Sequence, residues 1–151
     1  MFRLSKKLMF AIEAVLDIAY NSADEPVQSS EITRRQGIPR RYLEQVLQHL
    51  VRDGILSGVR GPRGGYRLAR ERRRITVGDI VRVVRSMEAA SDPTEDPAGS
   101  PLGHAIVRPM WQDIHAELMD RLDSLSIDDL CRRAQDQGVA REAKSDADFS
   151  I

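Results

Sequence analysis

The chain has 151 residues, of which 41% are hydrophobic, 30% charged and only 5% aromatic, the balance of a small globular protein whose core is built from Leu, Ile and Val. No run of about 18 apolar residues occurs, which argues against a membrane span, and the single cysteine, Cys131, excludes an internal disulfide framework and suits a reducing cytoplasm. The formal net charge of zero conceals an asymmetry: residues 1–85 carry 17 Lys and Arg against 9 Asp and Glu, net +8, and residues 86–151 carry 6 against 14, net −8, so the front half is suited to meet a polyanion.

The start has basic residues before an apolar stretch, as a signal peptide does. However, Glu13 and Asp17 interrupt that stretch and no small-residue cleavage site follows. Leu8, Ile12, Val15, Leu16 and Ala19 instead predict an amphipathic helix over 5–20, capped by Ser5. "NSADEP" ends it. Ser29 or Ser30 can cap a short helix that stops at Gly37, and Pro39 suits the first turn of the next. The second of these helices buries Leu43, Val46, Leu47 and Leu50 and closes at Gly54. Two short helices across a glycine turn form the helix-turn-helix pattern.

"ILSGV" and "YRLA" then read as two short strands joined by "RGPRGG", in which Pro62 restricts the chain and Gly61, Gly64 and Gly65 free it. Residues 75–87 predict a helix capped by Thr76, with Ile80, Val81, Val83 and Val84 inward. An acidic, Pro/Gly-rich stretch at 88–103 reads as a mobile loop. A long helix over 104–125 follows, with Pro109 near its start and a stripe of Val107, Trp111, Ile114, Leu118, Leu122 and Leu125. Ser126 caps one further short helix, and a disordered tail is expected from Gly138.

The face of the second helix opposite its apolar side carries Arg41, Glu44, Gln45, Gln48 and Arg52. Arg donates to guanine, Gln pairs with adenine and a carboxylate accepts from cytosine, so these residue types suit base edges. A recognition helix inserts its N-terminal end deepest, which favours Arg41, Glu44 and Gln45. The glycine-rich hairpin tip lets main chain approach phosphates while Arg60, Arg63 and Arg67 supply charge for the backbone or a narrow minor groove. A nucleotide-binding loop is the poorer reading, because no Gly-x-x-x-x-Gly-Lys-Ser/Thr is present and the segment joins two strands. The apolar stripe of the long helix cannot be covered by one small domain, so it predicts pairing with a second, antiparallel copy.

"YLEQVLQHLVRDGILSGVRGPRGGYRLAR", followed by "ITVGDIVRVV" and by "WQDIHAELMDRLDSLSIDDL", resembles the Rrf-type, IscR-like winged-helix regulators over roughly residues 4–134. The resemblance implies a mainly α fold with a β-hairpin wing, divided into a winged helix-turn-helix at 1–87, a sensor-position loop at 88–103, a dimerisation unit at 104–137 and a tail at 138–151. It implies a cytoplasmic, homodimeric transcription factor, more plausibly a repressor, on palindromic double-stranded DNA. Glu44 then stands at a base-reading position with Tyr42 and Gln45 beside it, and Arg60 is the minor-groove arginine. Lys6, Lys7, Ser30, Arg41, Arg63 and Arg67 complete the expected DNA contacts. Cluster-bearing relatives hold iron and sulfur with three loop cysteines; this loop has none, Pro101 stands where the last would be, and His104 matches a ligand position without companions. No iron–sulfur cluster is therefore expected, and an unidentified effector at 88–103 could replace it. The alternative is a winged-helix protein-interaction module that does not bind DNA. No Ser/His/Asp or Cys/His set suggests an enzyme.

Overall fold

The computed structural model describes residues 4–88 and 91–142. Helix α1 (Lys6–Asn21) begins where Ser5 Oγ accepts the Leu8 amide at 3.1 Å. Its Leu8, Ala11, Ala14, Val15 and Ile18 are buried, and it packs against every other long element of the head, which makes it the central helix. Asp17 on the same helix is also buried. Its carboxylate is held by Arg35 and Gln36, which removes most of the cost of placing a charge there.

Helix α2 (Ser29–Gln36) is capped at Gln28, one residue before the first of the expected serine caps. The Gln28 amide donates to Glu31 Oε2 at 2.8 Å, so the acid three residues in satisfies the helix entry and neither Ser29 nor Ser30 is needed for it. Gly37 ends α2 at φ 66°, and buried Ile38 plugs the turn. Pro39 lies at the cap of α3 (Arg40–Arg52), just outside its first turn. Leu43, Val46, Leu47 and Leu50 of α3 enter the core, each such side chain worth about 1.5–3 kcal/mol of burial.

Strands β1 (Leu56–Val59) and β2 (Gly65–Leu68) pair antiparallel, with Leu56 opposite Leu68 and Val59 opposite Gly65. A third extended segment flanks them. Val27 and Tyr66 exchange both backbone hydrogen bonds at 2.8 Å, so the hairpin is stitched to the entry of α2. Helix α4 (Val77–Glu88) opens with a reciprocal pair, Asp79 amide to Thr76 Oγ1 and Thr76 amide to Asp79 Oδ2, both 3.0 Å.

The segment expected to be a mobile loop has local order. Asp92 caps a 3-10 turn at Pro93–Glu95 through Thr94, and Arg108 donates to the carbonyls of Asp96 and Ala98. The long helix starts earlier than expected, at residue 101, with Ser100 Oγ accepting the Gly103 amide. It runs through a wide π turn (Gly103–Val107), in which the Arg108 amide reaches back to the Gly103 carbonyl, into α5 (Arg108–Asp123). Pro109 therefore lies inside the helix. A proline ring presses on the carbonyl four residues back in a regular α-turn, and the wider turn before it makes room.

Helix α6 (Ile127–Asp136) is capped by Ser126 and Asp129 in the same reciprocal way as α4. The Val77 amide donates to the Leu125 carbonyl and the Ile127 amide to the Ile75 carbonyl, both at 2.8 Å. Met119, Ile127 and Cys131 belong to the same buried cluster as the winged-helix residues. The boundary expected between 87 and 104 thus separates stretches of chain that share one core. Nor do residues 138–142 form a free tail. Val139 accepts from the Tyr20 hydroxyl at 2.5 Å, the Arg141 guanidinium lies 4.7 Å over the Tyr20 ring, and Glu142 grips Arg34 at 2.7 Å and Arg35 at 3.1 Å. The rest of the expected tail, 143–151, lies outside the described residues. Among the described residues no helix is long and apolar enough to cross a membrane.

Candidate nucleic-acid interface

The amphipathic spacing of α3 sorts its residues cleanly. With its leucines inside, Arg41, Tyr42, Glu44, Gln45, Gln48 and Arg52 are all exposed. Arg40, which the sequence reading left out, pairs with Glu44 at 3.1 Å one turn on. Such an exposed pair is worth only a few tenths of a kcal/mol, so Glu44 remains available to another donor. Tyr42 leans on Phe10 of α1, ring centroids 6.5 Å apart, while nearly half of it faces solvent.

The wing follows directly, because Gly54 (φ 77°), two residues past the end of α3, turns the chain straight into β1. At its tip the Gly64 amide turns back to the Gly61 carbonyl at 2.9 Å. A Cβ on Gly64 would stand 2.2 Å from the Val59 carbonyl oxygen, and one on Gly65 2.5 Å from that of Val27. Both positions therefore require glycine for steric reasons, beyond chain freedom. Arg60, Arg63 and Arg67 are exposed, and none is ion-paired with another described residue. Gln28 reaches from the α2 entry to the Pro62 carbonyl at 3.4 Å, so Ser30, exposed in the first turn of α2, belongs to the neighbourhood of the wing. Lys6 is exposed and Lys7 half-buried in the first turn of α1. What results is a polar helix face with free arginines on a rigid finger beside it, suited to phosphates and base edges.

The expected pairing stripe is divided. Val107, Trp111 and Ile114 are each about half exposed (45–46%), and Leu102, Ile106 and Met110 join them, at 74%, 61% and 46%. Leu102 was missed because the helix was expected to begin at 104, and Ile106 and Met110 because the expected stripe followed Val107 and Trp111; the spacing of four from Leu102 would have revealed all three. Leu118 is half-buried, whereas Leu122 and Leu125 pack on the protein's own core. An ion pair from Arg82 of α4 to Asp123, at 2.6 Å, fastens the same end of α5.

Cys131 is buried in α6, and burial pushes its thiol up although Arg72 pulls the other way. His104 is exposed. No three His, Cys, Asp or Glu among the described residues stand together as a metal would require. A thiolate-held cluster needs several cysteines, and the chain has one, so the donors present do not fit such a group.

A family model described as Rrf2, Iron-dependent Transcriptional regulator, matches residues 4–133. The HTH-type transcriptional regulator IscR of Xenorhabdus nematophila is 34% identical over 146 residues, covering 95% of this chain and 88% of that protein. The protein of the same name from Klebsiella pneumoniae is 35% identical over 130 residues, 85% and 78% of the two chains. Among solved structures, T. potens IscR superposes with a TM-score of 0.73 at 31% identity over 93% of both chains. CymR, the global cysteine regulator of B. subtilis, superposes at 0.71 and 28% identity, over 88% of this chain and 98% of that one. The helix-turn-helix with its free-arginine wing and these likenesses lead to one conclusion: the chain belongs to the Rrf2 family and is a winged-helix, DNA-binding transcriptional regulator of the IscR-like kind.

Proposed function

We propose that the protein works as a homodimeric repressor on a palindromic operator. In this reading α3 enters the major groove, with Arg41, Glu44, Gln45 and Gln48 at base edges and Tyr42 packed beside them. Arg60 enters the minor groove, while Arg63, Arg67, Lys6, Lys7 and Ser30 hold the backbone. Residues 1–87 act as the reading head and 104–137 as the pairing unit, whose surface is the exposed stripe from Leu102 to Ile114. Regulation proceeds without an iron–sulfur cluster. The observation that carries the DNA geometry is the set of wing arginines free of ion pairs beside the exposed polar face of α3. A narrow minor groove concentrates negative potential, which rewards an unpaired arginine.

Titration of the protein against its operator and a scrambled duplex at several salt concentrations tests this. Arg60→Ala weakens binding to both and lowers the salt slope by about 1. Glu44→Ala costs about 1–3 kcal/mol on the operator alone. Equal losses on both duplexes for Glu44→Ala would remove its assigned role.

A further inference from the structure

A cavity of about 230 Å³ opens between the 3-10 turn and α5, away from the recognition helix and wing. Trp111, Ile114 and Leu118 give it an apolar wall, and Asp92, Thr94 and His115 supply polar groups. The protonation of His115 follows from its neighbour. Arg85 Nη1 lies 2.8 Å from His115 Nε2, and a guanidinium only donates, so Nε2 accepts. The remaining proton of the neutral ring is then on Nδ1. Burial and Arg85 both push the imidazole below its ordinary pKa, which keeps the ring neutral. Nδ1 is buried and has no hydrogen-bond partner among the described residues. A lining residue of the cavity thus carries a donor that lacks an acceptor, an arrangement that proteins seldom leave unanswered.

The second polar group of the lining is an acceptor. Asp92 Oδ1 takes the Thr94 amide at 2.8 Å and its hydroxyl at 2.7 Å, and these bonds hold the carboxyl below its usual range, hence ionised. It is near enough to act electrostatically on His115, and Arg85 balances its charge. A donor at one polar point, a carboxylate whose charge Arg85 offsets at another, and an indole wall describe a complementary guest.

We propose that this cavity binds a small, neutral aromatic carboxamide, its carbonyl oxygen accepting from His115, its N–H₂ donating to Asp92 and its ring lying against Trp111. As a binding site it is independent of the DNA geometry, but Trp111 and Ile114 also belong to the proposed pairing stripe, so guest and second copy meet at the same wall; as a signal input it rests on the regulator reading.

Trp111 is the only tryptophan of the chain, so its fluorescence reads the cavity directly. Benzamide is the probe. The full-length protein shows saturable quenching by benzamide, and benzoate, which lacks the N–H₂ and meets Asp92, binds more weakly. His115→Gln retains an amide that reaches the Nε2 position but not the Nδ1 donor, and weakens benzamide about tenfold. His115→Asn places an amide N–H near Nδ1 and restores most of the binding. Leu118→Phe fills the space and abolishes it, with melting temperatures and circular dichroism showing that each variant folds. Absence of quenching in the wild type overturns the proposal, as does equal affinity in His115→Gln and His115→Asn. So does binding seen only in a monomeric Ile106→Asp variant, which would mean that a second copy of the chain fills the cavity.

Discussion

Arg35 closes a two-pronged clasp on Asp17, Nε to Oδ2 at 2.9 Å and Nη2 to Oδ1 at 2.8 Å, and so joins α2 to the central helix. The Asp17 side chain is fully shielded and that of Arg35 is 10% exposed. Removing Arg35 leaves the buried Asp17 carboxylate with only the neutral Gln36 amide and no counter-charge. Arg35→Met therefore destabilises the fold by about 3–5 kcal/mol in urea titration. Asp17→Leu combined with Arg35→Met costs much less, because no charge is then stranded. A double variant as unstable as the single one would show that the pair acts through packing alone.

Acid acts on the C-terminal strap through Glu142. Hydrogen bonds from Arg34 and Arg35 hold its carboxyl at about 2, against an ordinary 4.5. A lowered folded-state value means that the stabilisation is complete above 4.5 and is lost as pH falls from there through about 2. The melting temperatures of the wild type and Glu142→Gln should differ by a constant amount at neutral pH and converge across that window. A difference that persists unchanged in acid would contradict the docked position of the strap.

The hairpin depends on glycine at 65. Its φ of 151° and the 2.5 Å separation between an added Cβ and the Val27 oxygen leave an alanine nowhere to go. Gly65→Ala destabilises by about 1–3 kcal/mol. It also loosens the wing from Val27, so DNA affinity falls by more than the melting temperature alone would suggest. Gel-shift titration beside thermal melting separates the two effects, and unchanged affinity would show that the stitch to Val27 is dispensable.

Pairing is tested at Ile106, which is 61% exposed and packs on nothing in its own chain's core. Ile106→Asp leaves single-chain stability within about 0.5 kcal/mol. In sedimentation velocity it gives a monomer, and it binds the full palindrome no more tightly than two independent half-sites allow, because the linkage between them is lost. A dimeric Ile106→Asp would move the interface elsewhere.

What the sequence disclosed follows from how local each signal is. Ser5, Thr76 and Ser126 were legible as caps because a hydroxyl bonds an amide only three residues away. Gln28 was not, because it is not one of the short hydroxyl or carboxamide residues that mark a cap, and the acid Glu31 closes the turn onto its amide. The polar face of α3 and the wing could be read from spacing and charge. The start of the long helix could not: Pro109 looks like a beginning, and only the π turn before it allows the helix to extend back to 101. The strap was hidden for a different reason. It is held by the Val139 carbonyl, by Arg141 over a ring and by Glu142 across more than 100 positions of sequence, and composition carries none of those relations. The cavity at His115 likewise depends on a turn centred on Thr94 folding back beside α5.

Gly78 has a last consequence. A methyl group there would collide with Asp123 Oδ1 at 1.8 Å, so the bare backbone of α4 lets the foot of α5 seat flush while Arg82 bolts it from the side. The winged-helix core and α5 are thus joined directly, like the jaw and beam of a caliper. In the proposed dimer the gap between the jaws is set wherever the two beams cross, so a slip at that crossing changes the spacing of the two recognition helices.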